Sequence, residues 1–312
     1  MFVDLKRQYR KSLKSFDTEE NIDLAFYRPI GFAWAYLFRK LGISPNTVTI
    51  ASIFLGVGAG ICFYFNDLWI NVIGMLLLIW ANSYDSADGQ LARMTGNYSR
   101  IGRILDGMSG DLWFITIYAA ICLRENATDA FFGAHPWLIW CIGLVTGICH
   151  AKQAAMADYY RQFHLYFVKG REGSELESAD KLRRRLASMP WRGHFWSKLV
   201  LFFYTNYTAN QEAMTPAMQR LRRELQRRFP AAEPPLAFRE AFRRASRPLM
   251  KYTNILSFNW RSITLFVSLF LGQPWLYFAA ELVIFSAILV YMMVRHERIC
   301  RTFTRRLENG EY

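Results

Sequence analysis

Six stretches of this chain are apolar over the thickness of a bilayer: roughly 48–66, 70–92, 103–123, 136–157, 255–271 and 273–294. A helix rises about 1.5 Å per residue, so about 20 residues cover a hydrocarbon core about 30 Å thick. In that medium an open backbone N–H or C=O finds no water, and helices satisfy their own backbone. The chain is therefore expected to be all-α and polytopic, with about six transmembrane helices and no soluble enzyme domain of ordinary size. A composition that is 53% hydrophobic over 312 residues, with 25 Phe and 10 Trp, agrees.

The net charge of +13 is uneven along the chain. Basic residues gather in 1–46, between Arg93 and Arg103, across 164–253, and from Arg295 to Arg306. The connections near 66–69, 124–135 and 272–274 carry almost none, Arg124 being the exception. With six crossings all the basic segments fall on one side. The positive-inside rule then puts both termini, the turn after residue 93 and the long loop in the cytoplasm. A basic chain raises nucleic acid as a partner. Here the basic segments flank spans and alternate with Trp, Phe and Leu, which anionic lipid headgroups explain more simply, so no nucleic acid is expected. The five Cys (Cys62, Cys122, Cys141, Cys149, Cys300) lack paired spacing and read as packing residues. Residues 1–20 are polar and charged, unlike a cleavable signal peptide, so the first span itself would direct insertion.

This divides the chain into four parts: 1–46, 47–163, 164–253 and 254–312. The first is a cytoplasmic N-terminus, charged and frayed over 1–22, with an aromatic helix over 24–42. That helix fits the membrane interface, Trp34 and Tyr36 lying at headgroup level; a buried helix of a cytoplasmic subdomain is the alternative. Gly42 ends it, and Ser44-Pro45-Asn46 starts the next helix. The second part holds spans one to four; Gly56, Gly58 and Gly60 in the first span suit close helix packing. The third is a basic insertion too long for an ordinary connection. It has Arg-rich helical stretches (181–186, 220–229, 239–247) and a Pro-rich break at 230–235. Its apolar run Trp196 to Tyr204 is too short to span, which suggests an interfacial or re-entrant helix. The fourth part holds spans five and six and a basic tail.

Residues 85–111 carry the chemistry. The pattern is Asp85-x-x-Asp88-Gly89-x-x-Ala92-Arg93, then Gly102-x-x-x-Asp106 and Gly110-Asp111. Carboxylates at membrane depth are costly and mark function by default. Asp85 and Asp88, three residues apart, share a helix face. Gly89 and Ala92 remove bulk beside them, so that a helix or a phosphate can come close. Arg93 offers a planar fork suited to phosphate oxygens. Asp106 lies one turn into the next span. Three carboxylates on two neighbouring helices form an oxygen-only site for a hard cation, Mg²⁺ or Mn²⁺. Two such ions could clamp and polarise a diphosphate.

These residues resemble the signature of the CDP-alcohol phosphotransferases (CDP-alcohol phosphatidyltransferases), D-x2-D-G-x2-A-R-x8-G-x3-D-x3-D. Asp85, Asp88, Gly89, Ala92, Arg93, Gly102 and Asp106 fall in register, and Pro45-Asn46-Thr47-Val48-Thr49 is similar to the P-N-x-x-T that opens the family's first span. The resemblance is good over about 25–160 and topological beyond. It implies transfer of a phospho-group from a CDP-linked donor to an alcohol acceptor in phospholipid biosynthesis, with release of CMP. It also implies a homodimer and dependence on Mg²⁺ or Mn²⁺, two ions in number. By position, Asp85, Asp88 and Asp106 become metal ligands. Asn46, Thr49, Gly89, Ala92, Arg93 and Gly102 become the donor and nucleotide site.

The fourth carboxylate departs from the pattern. Four residues after Asp106 stands Gly110, and the acid comes one later, at Asp111. A one-residue shift turns a side chain by about 100° on a regular helix. A π-bulge near Gly107 and Gly110 would restore the facing, and Asp111 would then complete the metal site and act as general base. Otherwise the base or the donor differs, with a lipid acceptor such as diacylglycerol or ceramide among the variants, or the chain is an inactive member. His150, Lys152 and Tyr160, near the cytoplasmic end of span four, are candidates for acceptor binding, and the first two for a substitute base. Tyr159 and Arg161 could line the same pocket or anchor the interface. Glu281 reads as a helix-pairing or dimer contact. Asn97-Tyr98-Ser99 is a glycosylation triplet on the wrong side. The rival classes are an ion-coupled transporter, for which interrupted helices in corresponding halves are missing, and a non-catalytic lipid-binding membrane protein.

Overall fold

The computed structural model describes residues 9, 17–170, 176–230 and 232–312; the side chains at 100, 101, 103, 104 and 169 lie outside the description. Most of the stretch 1–22, expected to fray, is also outside it. The described residues contain helices and no strand, and the protein is an all-α polytopic membrane protein. By length and apolarity alone, four helices among the described residues can cross a membrane: Pro45–Tyr64, Leu68–Thr95, Pro136–Val168 and Trp275–Glu308. The expected third and fifth spans are further helices that fall short of that apolarity or length. Arg100–Thr128 has 29 residues but carries Asp106, Asp111, Arg124 and Glu125. Phe258–Phe270 has 13 residues, which reach only about 20 Å.

The chain divides into two compact units, Met1–His150 with Phe258–Ile284, and Ala151–Ser257 with Phe285–Tyr312. In the first unit α1 (Arg28–Lys40) follows a π-helical turn at Asp23–Tyr27 and stops where Gly42 turns to φ +69°. Its Ala35 and Phe38 pack with Val48, Ala87 and Leu91, so α1 lies against the motif-bearing helix and leaves Leu37 and Leu41 exposed. Helix α2 (Pro45–Tyr64) starts as its sequence requires: Ser44 Oγ accepts from Thr47 N–H, and Pro45 occupies the first turn. Helix α3 (Leu68–Thr95) is capped by Asp67 and ends at Gly96, φ +68°. Helix α4 (Arg100–Thr128) is capped by Ser99.

Gly56 and Gly60 of α2 are packing residues, as expected, whereas Gly58 faces open space, with Leu77 3.9 Å from where a Cβ would be. A Cβ on Gly56 would stand 2.1 Å from the Trp113 ring, and one on Gly60 would stand 2.8 Å from Thr116. They let α2 and α4 touch almost backbone to side chain. Arg124, the exception to the expected charge pattern, also has a structural reason. Its guanidinium donates to the Phe63 carbonyl at the end of α2 and to the side-chain oxygens of Asn66 and Asn71. After the short α5 (Ala130–Ala134), α6 (Pro136–Lys169) leaves the first unit at His150.

The second unit contains the insertion. Helices α7 (Ala179–Ser188), α9 (Pro216–Arg228) and α10 (Leu236–Ser246) follow the expected Arg-rich stretches, with the break before Leu236, and α8 (Phe195–Ala213) contains the expected apolar run and continues past it. The six-residue α11 (Met250–Ile255) closes it. Their apolar faces share one core with the end of α6 and with α14 (Ser286–Glu308): Phe163, Phe167, Leu221, Phe238, Phe242 and Phe303 all lie inside. Glu297 on α14 fixes the start of α9, accepting from the N–H groups of Ala217 (2.7 Å) and Met218 (3.2 Å). The remaining helices of the first unit are α12 (Phe258–Phe270) and α13 (Trp275–Ala280), with a π-helical turn at Glu281–Phe285. All five cysteines are free.

Candidate active site

The site forms where α3 ends and α4 begins. Asp85 and Asp88 project from the last turns of α3, and Asp106 from the second turn of α4. One carboxylate oxygen from each lies within 4.8 Å of the others. Asp88 is buried, Asp85 half-buried and Asp106 exposed, so the group opens on one side only. Hydroxyls hold the two acids of α3. Thr49 donates to Asp88 Oδ2, and Ser109 Oγ stands 2.9 Å from Asp85 Oδ1 and 2.8 Å from the Asp106 carbonyl. Thr49, expected near the nucleotide, is thus a partner of the deepest carboxylate.

The hinge between the helices explains the motif's small residues. Ser99 Oγ donates to Asn46 Oδ1 at 2.9 Å and accepts the Gly102 N–H at 2.8 Å. A Cβ on Gly102 would fall 2.3 Å from Asn46 Oδ1 and 2.8 Å from Ser99 Oγ. Asn46, Ser99 and Gly102 therefore lock the start of α2 to the start of α4. Gly89 has its own reason: the Arg93 guanidinium, one turn on, lies 3.4 Å from where a Cβ would be. Ala92 is half-buried on the same stretch.

Sequence reasoning missed a second contact on α3. Arg28 of α1 pairs with Glu19 at 2.9 Å and donates to Ser86 Oγ at 3.2 Å, and Gln90 Nε2 donates to the Arg28 carbonyl at 3.1 Å. Ser86, Gln90 and Arg93 recur at helical spacing, a polar stripe beside the acids that could have suggested a docked helix.

Asp111 stands outside the carboxylate group and is exposed. The reason is the helix itself: α4 is α-helical from Arg100 to Thr128, with no π-bulge at Gly107 or Gly110. The π-helical turns of the described residues lie elsewhere, at Asp23–Tyr27 and Glu281–Phe285. The one-residue shift is therefore not undone, and position 111 points about 140° round the helix from Asp106. Between them Gly107 and Gly110 leave the helix surface bare, and a Cβ on either would meet nothing within 4 Å.

The other candidates are placed differently. His150 Nδ1 lies 2.9 Å from both the Tyr118 hydroxyl and Arg261 NH1, and 3.6 Å from Glu281 Oε1. Arg261 and Glu281 pair directly, and Tyr277 donates to Glu281 at 2.7 Å. Glu281 is thus a helix-pairing residue. Tyr118 is twelve residues beyond Asp106 on α4, about 18 Å along the axis, so this network is remote from the three carboxylates. Lys152 is exposed on α6 in the second unit. Tyr160, expected in an acceptor pocket, is fully buried in the second unit's core, stacked on His296 at 4.1 Å; its ring packs as an apolar residue.

Residues 42–164 match the CDP-alcohol phosphatidyltransferase family, whose members are transferases. A CDP-diacylglycerol–glycerol-3-phosphate 3-phosphatidyltransferase from Cereibacter sphaeroides is 28% identical over 102 residues, which are 32% of this chain. The chain spans 43% of that relative's length. No solved structure matches.

Proposed function

We propose that this protein, with its CDP-alcohol phosphatidyltransferase domain at residues 42–164, is a metal-dependent phosphotransferase of phospholipid synthesis. It takes a CDP-linked donor and an alcohol acceptor, and releases CMP. The observation that carries the reading is the convergence of Asp85, Asp88 and Asp106 within the matched segment. The donor set fits a hard cation: three acids in one place, one of them buried, need a positive charge to offset their repulsion and desolvation. Asp85, Asp88 and Asp106 would hold Mg²⁺ or Mn²⁺, two ions by analogy with the family. Bound there, such a cation would supply the positive charge that polarises a donor diphosphate and offsets the charge of departing CMP.

The remaining steps belong to the chain. Asn46, Gly89, Arg93 and Gly102 form the wall on which the CDP group rests, Arg93 taking phosphate oxygens with its fork. Thr49 and Ser109 keep the carboxylates aimed. The acceptor lies across the bare strip at Gly107 and Gly110. Its hydroxyl oxygen bonds to the donor's terminal phosphorus, the bridging P–O bond breaks, and CMP leaves. The hydroxyl proton passes to Asp111 at the far edge of the strip. A hydroxyl needs such a base because it is a weak nucleophile at neutral pH. The site and both termini face the cytoplasm, and the active form is a homodimer.

The test is CMP release from a CDP-linked lipid donor by the purified protein in detergent. Activity is expected to vanish with a chelator, to return with Mn²⁺ or Mg²⁺, and to be lost in Asp88→Ala. Turnover that ignores both the chelator and that substitution would refute the reading. Ion flux in proteoliposomes without CMP release would favour a transporter, and bound lipid without turnover a binding protein.

A further inference from the structure

Helix α8 is amphipathic the wrong way round for water. Its inward face presents Leu201, Thr205, Thr208 and Gln211, the last donating to the Ala155 carbonyl at 2.8 Å. A second, exposed face presents Trp196, Val200, Phe203 and Tyr207, with Trp196 75% and Phe203 63% exposed. These four recur at spacings of four, three and four, a single stripe along one side of the helix. A helix that buries threonines and displays aromatics is matched to an apolar surrounding. A contiguous exposed apolar stripe of this kind marks an interaction surface.

The flanks say which surface. Helix α7 packs along α8 and exposes Arg183, Arg184 and Arg185; Arg192 follows, and Lys198 on α8 lies 4.8 Å over the Trp191 ring. Residues 179–204 hold six Lys and Arg against one acid, Asp180. An apolar stripe edged by cations fits a bilayer surface with anionic headgroups. Crossing the bilayer is disfavoured, because basic helices flank α8 on both sides: α7 before it and α9, with Arg220 and Arg222, after it.

We propose that α7 and α8 form an anionic-lipid docking platform, separate from the transferase chemistry. The stripe Trp196, Val200, Phe203 and Tyr207 enters the headgroup–acyl boundary, and the arginines of α7 hold the lipid phosphates. The second unit thereby gains its own hold on the membrane surface, and that hold depends on the charge of the surface.

The test uses the full chain carrying a photoreactive diazirine residue at Val200 or Phe203, one position at a time. It is reconstituted in vesicles of phosphatidylcholine alone, or of phosphatidylcholine mixed with phosphatidylglycerol. Adduct masses then report what each position touches. Lipid adducts are expected at both positions, with phosphatidylglycerol captured beyond its share of the bilayer. Since each basic residue at an anionic surface multiplies local binding about fivefold, Arg183→Gln with Arg184→Gln and Arg185→Gln should cut that excess at least about fivefold. These arginines are exposed, so their replacement leaves the fold intact. Adducts to a second copy would make the stripe a protein interface and overturn the proposal. So would reaction with water alone, or capture of phosphatidylglycerol only in proportion to its abundance.

Discussion

The displaced fourth acid gives the sharpest test of the chemistry. Asp111 lies about 140° round α4 from Asp106, whereas position 110 lies only about 40° away, because each residue turns the helix by about 100°. Moving the carboxylate back one residue is sterically free, since a Cβ at 110 meets nothing within 4 Å. It is also free in stability: glycine is about 1 kcal/mol worse than alanine inside a helix and aspartate about 0.7, so the change gains a few tenths at most. If Asp111 accepts the hydroxyl proton, Asp111→Asn should lower kcat by about 10²–10⁴-fold, the usual worth of a general base. Gly110→Asp added to that variant should bring kcat back to within about tenfold of the parent, because the new acid stands on the same bare strip, nearer the phosphorus. The assay is CMP release at saturating Mn²⁺, with thermal unfolding in detergent as the control for folding. An Asp111→Asn variant with full activity would refute the assignment of the base. An inactive Asp111→Asn that the second substitution does not rescue would refute the placement of the acceptor over Gly107 and Gly110.

Four further substitutions probe the frame of the first unit. Gly102→Ala drives a methyl to 2.3 Å from Asn46 Oδ1. Steady-state kinetics should show KM for the donor raised about tenfold, the share expected when one polar contact worth about 1.5 kcal/mol is displaced. Gly56→Ala collides with Trp113 and should destabilise by about 1–3 kcal/mol or more, whereas Gly58→Ala, whose nearest neighbour is 3.9 Å away, should be neutral. Thermal unfolding of the two side by side checks this, and equal effects would refute the packing account. Glu281→Ala leaves Arg261, 1% exposed, without its carboxylate, and should cost about 3–5 kcal/mol. Replacing both partners by apolar residues of similar volume should recover most of that loss in the same measurement.

The sequence was legible where a local rule and a contact coincide. Ser44-Pro45, Gly42 and the Arg-rich helices of the insertion read correctly because caps, turns and helical periods are short-range. The convergence of Asp85, Asp88 and Asp106 was legible because their spacing fixes their faces on two helices joined by a four-residue turn, Gly96 to Ser99. The bounds of the spans were less legible, for a different reason. Apolar length marked 255–271 as a crossing, but the chain bends at Leu256 and Ser257, and only Phe258–Phe270 is continuous helix. Conversely, α6 and α14 run past any hydrocarbon core, and their far ends form part of a second core. That signal was present: Met156, Tyr160, Phe163 and Phe167 keep a four-three-four spacing after the charges begin. Read by hydropathy, those charges end a span; read by period, the helix goes on.

Helix α8 and Asp111 share one lesson about range. The apolar run ends at Tyr204, yet the helix continues to Ala213 because Thr205, Thr208 and Gln211 face inward, where side-chain hydrogen bonds satisfy Thr205 and Gln211. Composition alone assigns those polar residues to the outside and so misjudges both the length and the facing of the helix. At Asp111 the error has the opposite sign. A family pattern wants the acid on the metal face, and a bulge is the cheapest local way to put it there. Yet α4 gains nothing from one: its packing face, Trp113, Ile117 and Ile121, is in register with Asp106 and Ser109 only while the helix stays regular. A residue inserted near Gly110 would turn that whole row of core side chains by about 100°. The core therefore fixes the register of α4, and the chemistry at the fourth position has to adapt to it.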